Sequence, residues 1–209
     1  MKRLITLIIV VLLVAVQPCK AAVILPLEES TSSLYDYYNT GANSQDHFYG
    51  VNWSAQTFTP AEVYSLTSVK LMLFRVGSPG TITVHLRNTL NGLPTGIDLA
   101  SSTINGNVLT TNTDGNWYEV LLSYILQSGT KYAIVIDAAN GTSTDRGDWK
   151  KGPSSYSGGN NCYSSNSGSS WTGYTSMDNM FECWGAVPEP TTFILLGLGT
   201  LILYRRRKV

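Results

Sequence analysis

Apolar and polar residues alternate in short runs through the middle of the chain. Two runs are clearest. Residues 81–87 place Ile82, Val84 and Leu86 on one face, and residues 66–76 place Val69, Leu71 and Leu73 opposite Lys70, Met72 and Phe74. A period of two residues is typical of a half-buried antiparallel strand. On this pattern His85 and Arg87 fall on the outward face, and we expect His85 to be a solvated surface residue.

Shorter runs over residues 99–104, 117–122, 131–138 and 179–185 predict further strands, and the segment Gln56 to Thr59 predicts the end of an early one. Turn residues such as Ser78-Pro79-Gly80 and Asn91-Gly92 separate them. The prediction is an all-β fold: one antiparallel β-sandwich, jelly-roll-like, over residues 50–186. A polar N-terminal segment (22–49) precedes it, and residues 140–170 are predicted as a long polar stretch.

The two ends of the chain have a different composition. Lys2 and Arg3 precede an apolar run from Leu4 to Val16, which predicts a signal peptide over residues 1–21. At the other end Val187, Pro188, Glu189 and Pro190 precede an apolar, transmembrane segment (191–204) and the basic cluster Arg205, Arg206, Arg207 and Lys208. Basic clusters stay on the cytoplasmic side of a membrane. Since a permanent span needs about 20 residues, this shorter run favours a temporary one.

Residues 187–209 resemble the PEP-CTERM sorting signal of Gram-negative bacteria. The resemblance implies that Sec and signal peptidase export the protein. An exosortase then processes the tail in the inner membrane and passes the protein to the outer cell surface or the extracellular matrix. The alternative is a plain C-terminal membrane anchor.

A second resemblance covers most of residues 50–185. It rests on Gln56-Thr57-Phe58-Thr59-Pro60, Leu66-Thr67-Ser68-Val69-Lys70-Leu71, Gly129-Thr130-Lys131-Tyr132 and Asp178-Asn179-Met180-Phe181-Glu182, in this order. The set is similar to the choice-of-anchor β-sandwich domains of bacterial surface proteins. It implies a surface-displayed binding or structural domain, and it transfers no catalytic residues.

The charge of the exported body limits the classes of partner, and its cysteines predict a covalent link. The chain has 14 basic and 14 acidic residues, but the two ends hold seven of the basic residues and one of the acidic residues, so the exported body is acidic. Such a surface argues against nucleic acid as a partner. Cys162 and Cys183 remain after export and predict one disulfide, with two unpaired thiols as the alternative. No cofactor is predicted, and a structural calcium site using Asp145, Asp148 or Asp178 stays an alternative.

Five aromatic residues of the later part of the body are candidate glycan-binding residues: Trp149, Tyr156, Tyr163, Trp171 and Tyr174. Sugar rings stack on exposed aromatic faces, although the same residues would also serve to pin a long loop. The expected function is non-enzymatic: a structural or adhesive surface protein linked to exopolysaccharide and biofilm. A lectin-like module and a secreted glycan-active enzyme using a pair of carboxylates are the alternatives.

Overall fold

The computed structural model describes residues 32–187. The predicted signal peptide, residues 22–31 and the tail from Pro188 onward, with its transmembrane segment and basic cluster, lie outside the described residues. The described part is built from strands and one short 3-10 helix, Gly106–Val108. None of the helical structure between residues 32 and 187 has the length and apolarity needed to cross a bilayer.

The described residues form thirteen strands in chain order. They are β1 (Ser33–Tyr38), β2 (Ser44–Phe48), β3 (Trp53–Phe58), β4 (Tyr64–Val76), β5 (Thr81–Leu90), β6 (Leu93–Asn105), β7 (Asn116–Leu126), β8 (Tyr132–Asp137), β9 (Arg146–Pro153), β10 (Asn161–Ser164), β11 (Thr172–Tyr174), β12 (Met177–Asn179) and β13 (Phe181–Ala186).

The strands make two antiparallel sheets. The seven-stranded sheet has the order β1-β13-β4-β9-β12, with β7 also paired to β4 and β2 also paired to β9. The six-stranded sheet has the order β11-β10-β3-β8-β5-β6. Neighbours in the sheets are often distant in sequence, as where β13 lies between β1 and β4. The all-β antiparallel prediction is therefore confirmed.

The main core lies between the two sheets, and it contains the residues that the alternation predicts to face inward. Ile82, Val84 and Leu86 of β5 are fully buried, as are Val69, Leu71 and Leu73 of β4. Tyr132, Ile134 and Ile136 of β8 also face this core, as predicted. Each such aliphatic side chain stabilises the fold by about 1.5–3 kcal/mol relative to an exposed one.

Two parts of the fold differ from the prediction. β1 and β2 lie within the segment predicted as polar and pre-domain, and β9 and β10 lie within the predicted polar stretch 140–170. β9 has a polar composition because Arg146, Asp148 and Lys150 alternate with the core residues. The core position at Gly147 is glycine because the ring of Phe48 fills that space, about 2.1 Å from where a Cβ would stand.

Candidate functional site

The outer face of the six-stranded sheet carries a second, smaller apolar layer. Ala55, Ala133, Val135 and Cys162 are fully buried there, on the side of the sheet away from the main core. Three larger side chains, Trp53, Leu93 and Trp171, pack over these small residues. Outward-facing positions on these strands are therefore not solvent positions, because the strands are buried on both faces.

His85 lies at the margin of this layer, and the expectation of a solvated histidine is wrong. Its residue exposure is 8%. Nδ1 lies 2.8 Å from Asp98 Oδ2, and Nε2 lies 2.8 Å from Asp137 Oδ2. The imidazole also stacks on Trp53, with ring centroids 5.9 Å apart and an interplanar angle of 11°. We call Trp53, His85, Arg87, Asp98 and Asp137 the His85 cluster.

The charged side chains of the His85 cluster form ion pairs with one another. Burial lowers the pKa of His85, but hydrogen bonds to Asp137 and Asp98 more than offset burial, so the pKa is raised overall. A protonated imidazole can donate from both ring nitrogens at once, which suits its two carboxylate neighbours. Burial raises the pKa of Asp98, while hydrogen bonds from Arg87 and His85 lower it further than burial raises it.

Arg87 completes the cluster. Its Nε donates to Asp98 Oδ1 at 2.7 Å, and its guanidinium carbon lies 5.4 Å from the centroid of the Trp53 ring. Gly168 approaches the other partners closely, since a Cβ there would stand 2.9 Å from the Trp53 ring and 3.3 Å from the Arg87 guanidinium. The cluster is thus a charged, aromatic unit built from four strands, β3, β5, β6 and β8.

Both nitrogens of His85 are engaged by carboxylates, which leaves neither nitrogen free to activate a nucleophile. The alternation along β5 predicts the face on which His85 lies but not its two carboxylate partners. The available signal was the outward alternation of His85 with Arg87, opposite an acidic residue on the next strand.

The five predicted glycan-binding aromatics do not form one surface. Trp149 is fully buried in the main core, where its Nε1 donates to the carbonyl oxygen of Met180 at 2.8 Å. Its assignment to glycan binding is therefore wrong: the inward face of β9 needs a large apolar side chain. Trp171 is half-buried over the outer apolar layer.

Of the three tyrosines in that set, Tyr163 and Tyr174 lie on the paired strands β10 and β11, and Tyr156 lies apart from them. The Tyr156 ring meets Phe181 edge-on at 5.2 Å, and its hydroxyl lies 3.3 Å from Asp36 Oδ1. The Tyr163 hydroxyl donates to Asn52 Oδ1 at 2.6 Å. Tyr174 is exposed. These contacts support the alternative that the aromatics pin the stretch to the sandwich.

The predicted disulfide is not formed. Cys162 and Cys183 are both buried free thiols. Cys162 belongs to the outer apolar layer of the six-stranded sheet, whereas Cys183 of β13 belongs to the main core between the sheets. Burial raises the pKa of the Cys162 thiol to about 12 and that of Cys183 well above its ordinary value.

The three carboxylates considered for calcium have separate partners. Asp145 accepts a hydrogen bond from the backbone nitrogen of Ser78 at 2.8 Å. Asp148 contacts His47 and Arg146, and Asp178 accepts from the Gln56 amide at 2.9 Å. Across residues 32–187, no group of three or more His, Cys, Asp or Glu side chains could hold a metal ion.

The described chain ends where the sorting tail begins. β13 closes at Ala186, hydrogen-bonded between β1 and β4, and Val187 is 60% exposed just beyond it. Pro188, Glu189 and Pro190 follow in the sequence and lie outside the described residues.

Comparison with known proteins identifies this tail. The PEP-CTERM protein-sorting motif matches residues 186–208. The chain therefore carries the sorting signal of PEP-CTERM proteins, as predicted, and such a signal indicates an exported protein that passes through the membrane to the surface. No curated protein matches the chain.

One similar solved structure contains the cysteine protease and lectin-like domains of Cwp84, a surface layer associated protein of Clostridium difficile. The sequence identity is 14% and the TM-score is 0.48. The match covers 75% of this chain but 36% of that one.

Proposed function

We propose that the protein is an exosortase substrate whose sandwich acts without catalysis, as a structural or adhesive component of the outer cell surface or extracellular matrix. The observation that carries the proposal is the junction at residue 186. The last strand of the sandwich ends at Ala186, and the sorting motif begins at the same residue. An exosortase acting on the tail would therefore leave every described strand intact.

The chemistry of the body supports a non-enzymatic role. Glycosidases need two carboxyl groups free to act on a substrate. In the His85 cluster, both Asp98 and Asp137 are instead hydrogen-bonded to one imidazole. Asp46 pairs with Lys151 and Asp148 with Arg146, so these carboxylates also have structural partners.

The sorting half of the proposal is tested by intact mass and terminal peptide mapping of protein recovered from cells and from medium. We expect a form that begins after residue 21, lacks Arg205 to Lys208, and carries added mass from a surface attachment. Glu189→Gln and a Pro188→Ala/Pro190→Ala double variant should accumulate unprocessed. Pro79→Ala, a proline change in a turn of the body, serves as the matched control and should be processed normally.

Recovery of wild-type protein still ending at Val209 in the inner membrane would contradict this part of the proposal and favour a permanent anchor.

The structural role is tested separately. Deleting the gene should weaken matrix cohesion or adhesion, and release of shortened polysaccharide by the purified protein would instead support an enzyme.

A lectin-like function is the second candidate. For this function the His85 cluster is a better candidate site than the five aromatic residues predicted from the sequence. The Arg87 side chain, 14% exposed, lies over the Trp53 ring, and its strand β5 pairs with β6 so that Thr83, Ser101 and Thr103 lie near the cluster. Rings with adjacent polar groups suit neutral sugars. Retention on immobilised host polysaccharide should fall in Arg87→Ala and not in Trp149→Phe, which changes the core.

A further inference from the structure

Both ends of the described chain lie at one end of the seven-stranded sheet. Ser33 of β1 pairs with Gly185 of β13, and Ala186 pairs with Ser65 at the start of β4. Ser65 in turn pairs with Ile125 at the end of β7. The residues that lead to the signal peptide and those that lead to the sorting tail therefore leave the sandwich side by side. We call this the exit end.

Exposed apolar residues lie on and next to the outer face of the sheet at the exit end. Val63 is 41% exposed, Ile125 54%, Val187 60% and Leu121 71%. Leu121 of β7 and Trp184 of β13 pair with Ser68 from opposite sides, so the three residues form one row across the sheet. Ser68 is nearly buried beneath its neighbours. We call Val63, Leu121, Ile125, Trp184 and Val187 the exit patch.

The exit patch is compact. Ser65 and Ser68 are three residues apart on β4, or about 10 Å along the strand, so the row of Leu121 and Trp184 lies about that far from the row of Ile125. The ammonium of Lys70 lies 4.3 Å from the centroid of the Trp184 ring, at the inner margin of the patch. Scattered exposed apolar residues are ordinary, whereas several adjacent ones mark a contact surface.

The length of chain beyond the exit end limits how far the patch can be from the membrane. The apolar run of the sorting motif starts at Thr191, four residues after Val187. Four residues span at most about 14 Å when fully extended. The polar headgroup layer on each side of a bilayer is itself about 5–8 Å thick. With the tail in the membrane, the exit end is therefore held at the headgroup layer or at most about 6–9 Å above it.

We infer that the exit patch rests on the bilayer interface while the sorting tail is in the membrane. This inference rests on the proposed sorting function. Aliphatic side chains enter the boundary between headgroups and acyl chains, and tryptophan and lysine are the side chains that membrane interfaces favour. The contact lays the outer face of the seven-stranded sheet, near the exit end, against the interface and presents Pro188-Glu189-Pro190 to a membrane-embedded protease at a fixed height.

The test uses the full chain, with Cys19→Ser, reconstituted in phosphatidylethanolamine–phosphatidylglycerol vesicles. An environment-sensitive fluorophore is attached at Leu121→Cys or at Val108→Cys, and quenching by headgroup spin-labelled lipid is measured. Val108 is the matched control: it is 67% exposed, and it lies next to Leu109 and Thr110, which contact Arg75 at the opposite end of β4. The buried Cys162 and Cys183 provide the unlabelled background.

We expect quenching at position 121 and none above background at position 108, and the double change Ile125→Ser/Val63→Ser should reduce quenching at 121. Protein that floats with the vesicles but is quenched at neither position, or equally at both, would overturn the inference and leave the sorting proposal standing. Protein that does not float with the vesicles would count against both. Shielding of position 121 that appears after an exosortase is added, and not with lipid alone, would assign the patch to a protein partner instead.

Discussion

Removing His85 should destabilise the sandwich by much more than removing an ordinary surface histidine. The change His85→Ala leaves Asp137, whose side chain is 5% exposed, without its imidazole partner. Asp98 is less affected, because it is 32% exposed and keeps its ion pair with Arg87. Breaking one partner out of a buried pair costs about 3–5 kcal/mol.

We therefore expect a loss of about 3 kcal/mol, at the low end of that range, because one of the two carboxylates keeps a partner. For a domain of this size the corresponding fall in Tm is about 6–12 °C. The assay is urea unfolding of the purified protein in mild detergent near pH 6, followed by tryptophan fluorescence. Thr83→Ala, two residues away on the same face of β5, is the control and should change stability by less than about 0.5 kcal/mol.

A double variant tests the cause of the loss. In His85→Ala/Asp137→Asn, the carboxylate left without a partner is replaced by a neutral amide, so most of the lost stability should return. A loss below about 1 kcal/mol in His85→Ala would refute the reasoning, because that is the range of an exposed ion pair. A double variant no more stable than the single one would refute it as well.

Further predictions concern pH, packing and the thiols. The raised pKa of His85 means that its stabilising contribution is fully present below about pH 6.5 and is lost as pH rises through the folded pKa. The urea midpoint of wild type should therefore fall between about pH 6 and pH 9 relative to that of His85→Ala. Trp149→Ala should cost about 3–5 kcal/mol by calorimetry or urea unfolding, and Trp171→Ala distinctly less, because only the first is fully buried. Cys162 and Cys183 should resist maleimide in the native state and should both react after unfolding without a reductant. If they reacted only after reduction, the result would support a disulfide between them instead. Gly159→Ala should lower Tm, measured by thermal unfolding, because a Cβ there would stand 1.7 Å from the carbonyl oxygen of Thr57. Gly173→Ala should lower it less, because its Cβ would come no nearer than 3.2 Å, to the Leu93 side chain.

Sequence patterning predicts those strands whose inward positions are all aliphatic. β5 follows this rule with Ile82, Val84 and Leu86; its facing is as predicted, although the strand continues past the predicted end at Arg87 to Leu90. β9 does not, since Gly147 and Trp149 alternate with three charged residues, and its pairing with β2 is set by a partner about 100 residues away. Such pairing leaves no mark on local periodicity, which is why the sequence of residues 140–170 predicts a polar stretch and not the strand β9.

Residue facing was more predictable than residue environment. The alternation placed His85 outward, and it does point away from the main core. Whether an outward face meets water depends on what packs over it, and Trp53, Leu93 and Trp171 come from three separate parts of the chain. The same limit applies to the cysteines, since neither their number nor their spacing tells which layer each thiol enters.

The position of β13 has a mechanical consequence. A protein held at the surface through its tail would receive any pull at Val187, directly after this strand. β13 is hydrogen-bonded along its length to β1 on one side and to β4 on the other. Inter-strand hydrogen bonds lie perpendicular to antiparallel strands, so tension along β13 loads the bonds of both ladders together rather than one after another. The strand nearest the attachment point is thus the one that the fold holds against shear from two sides.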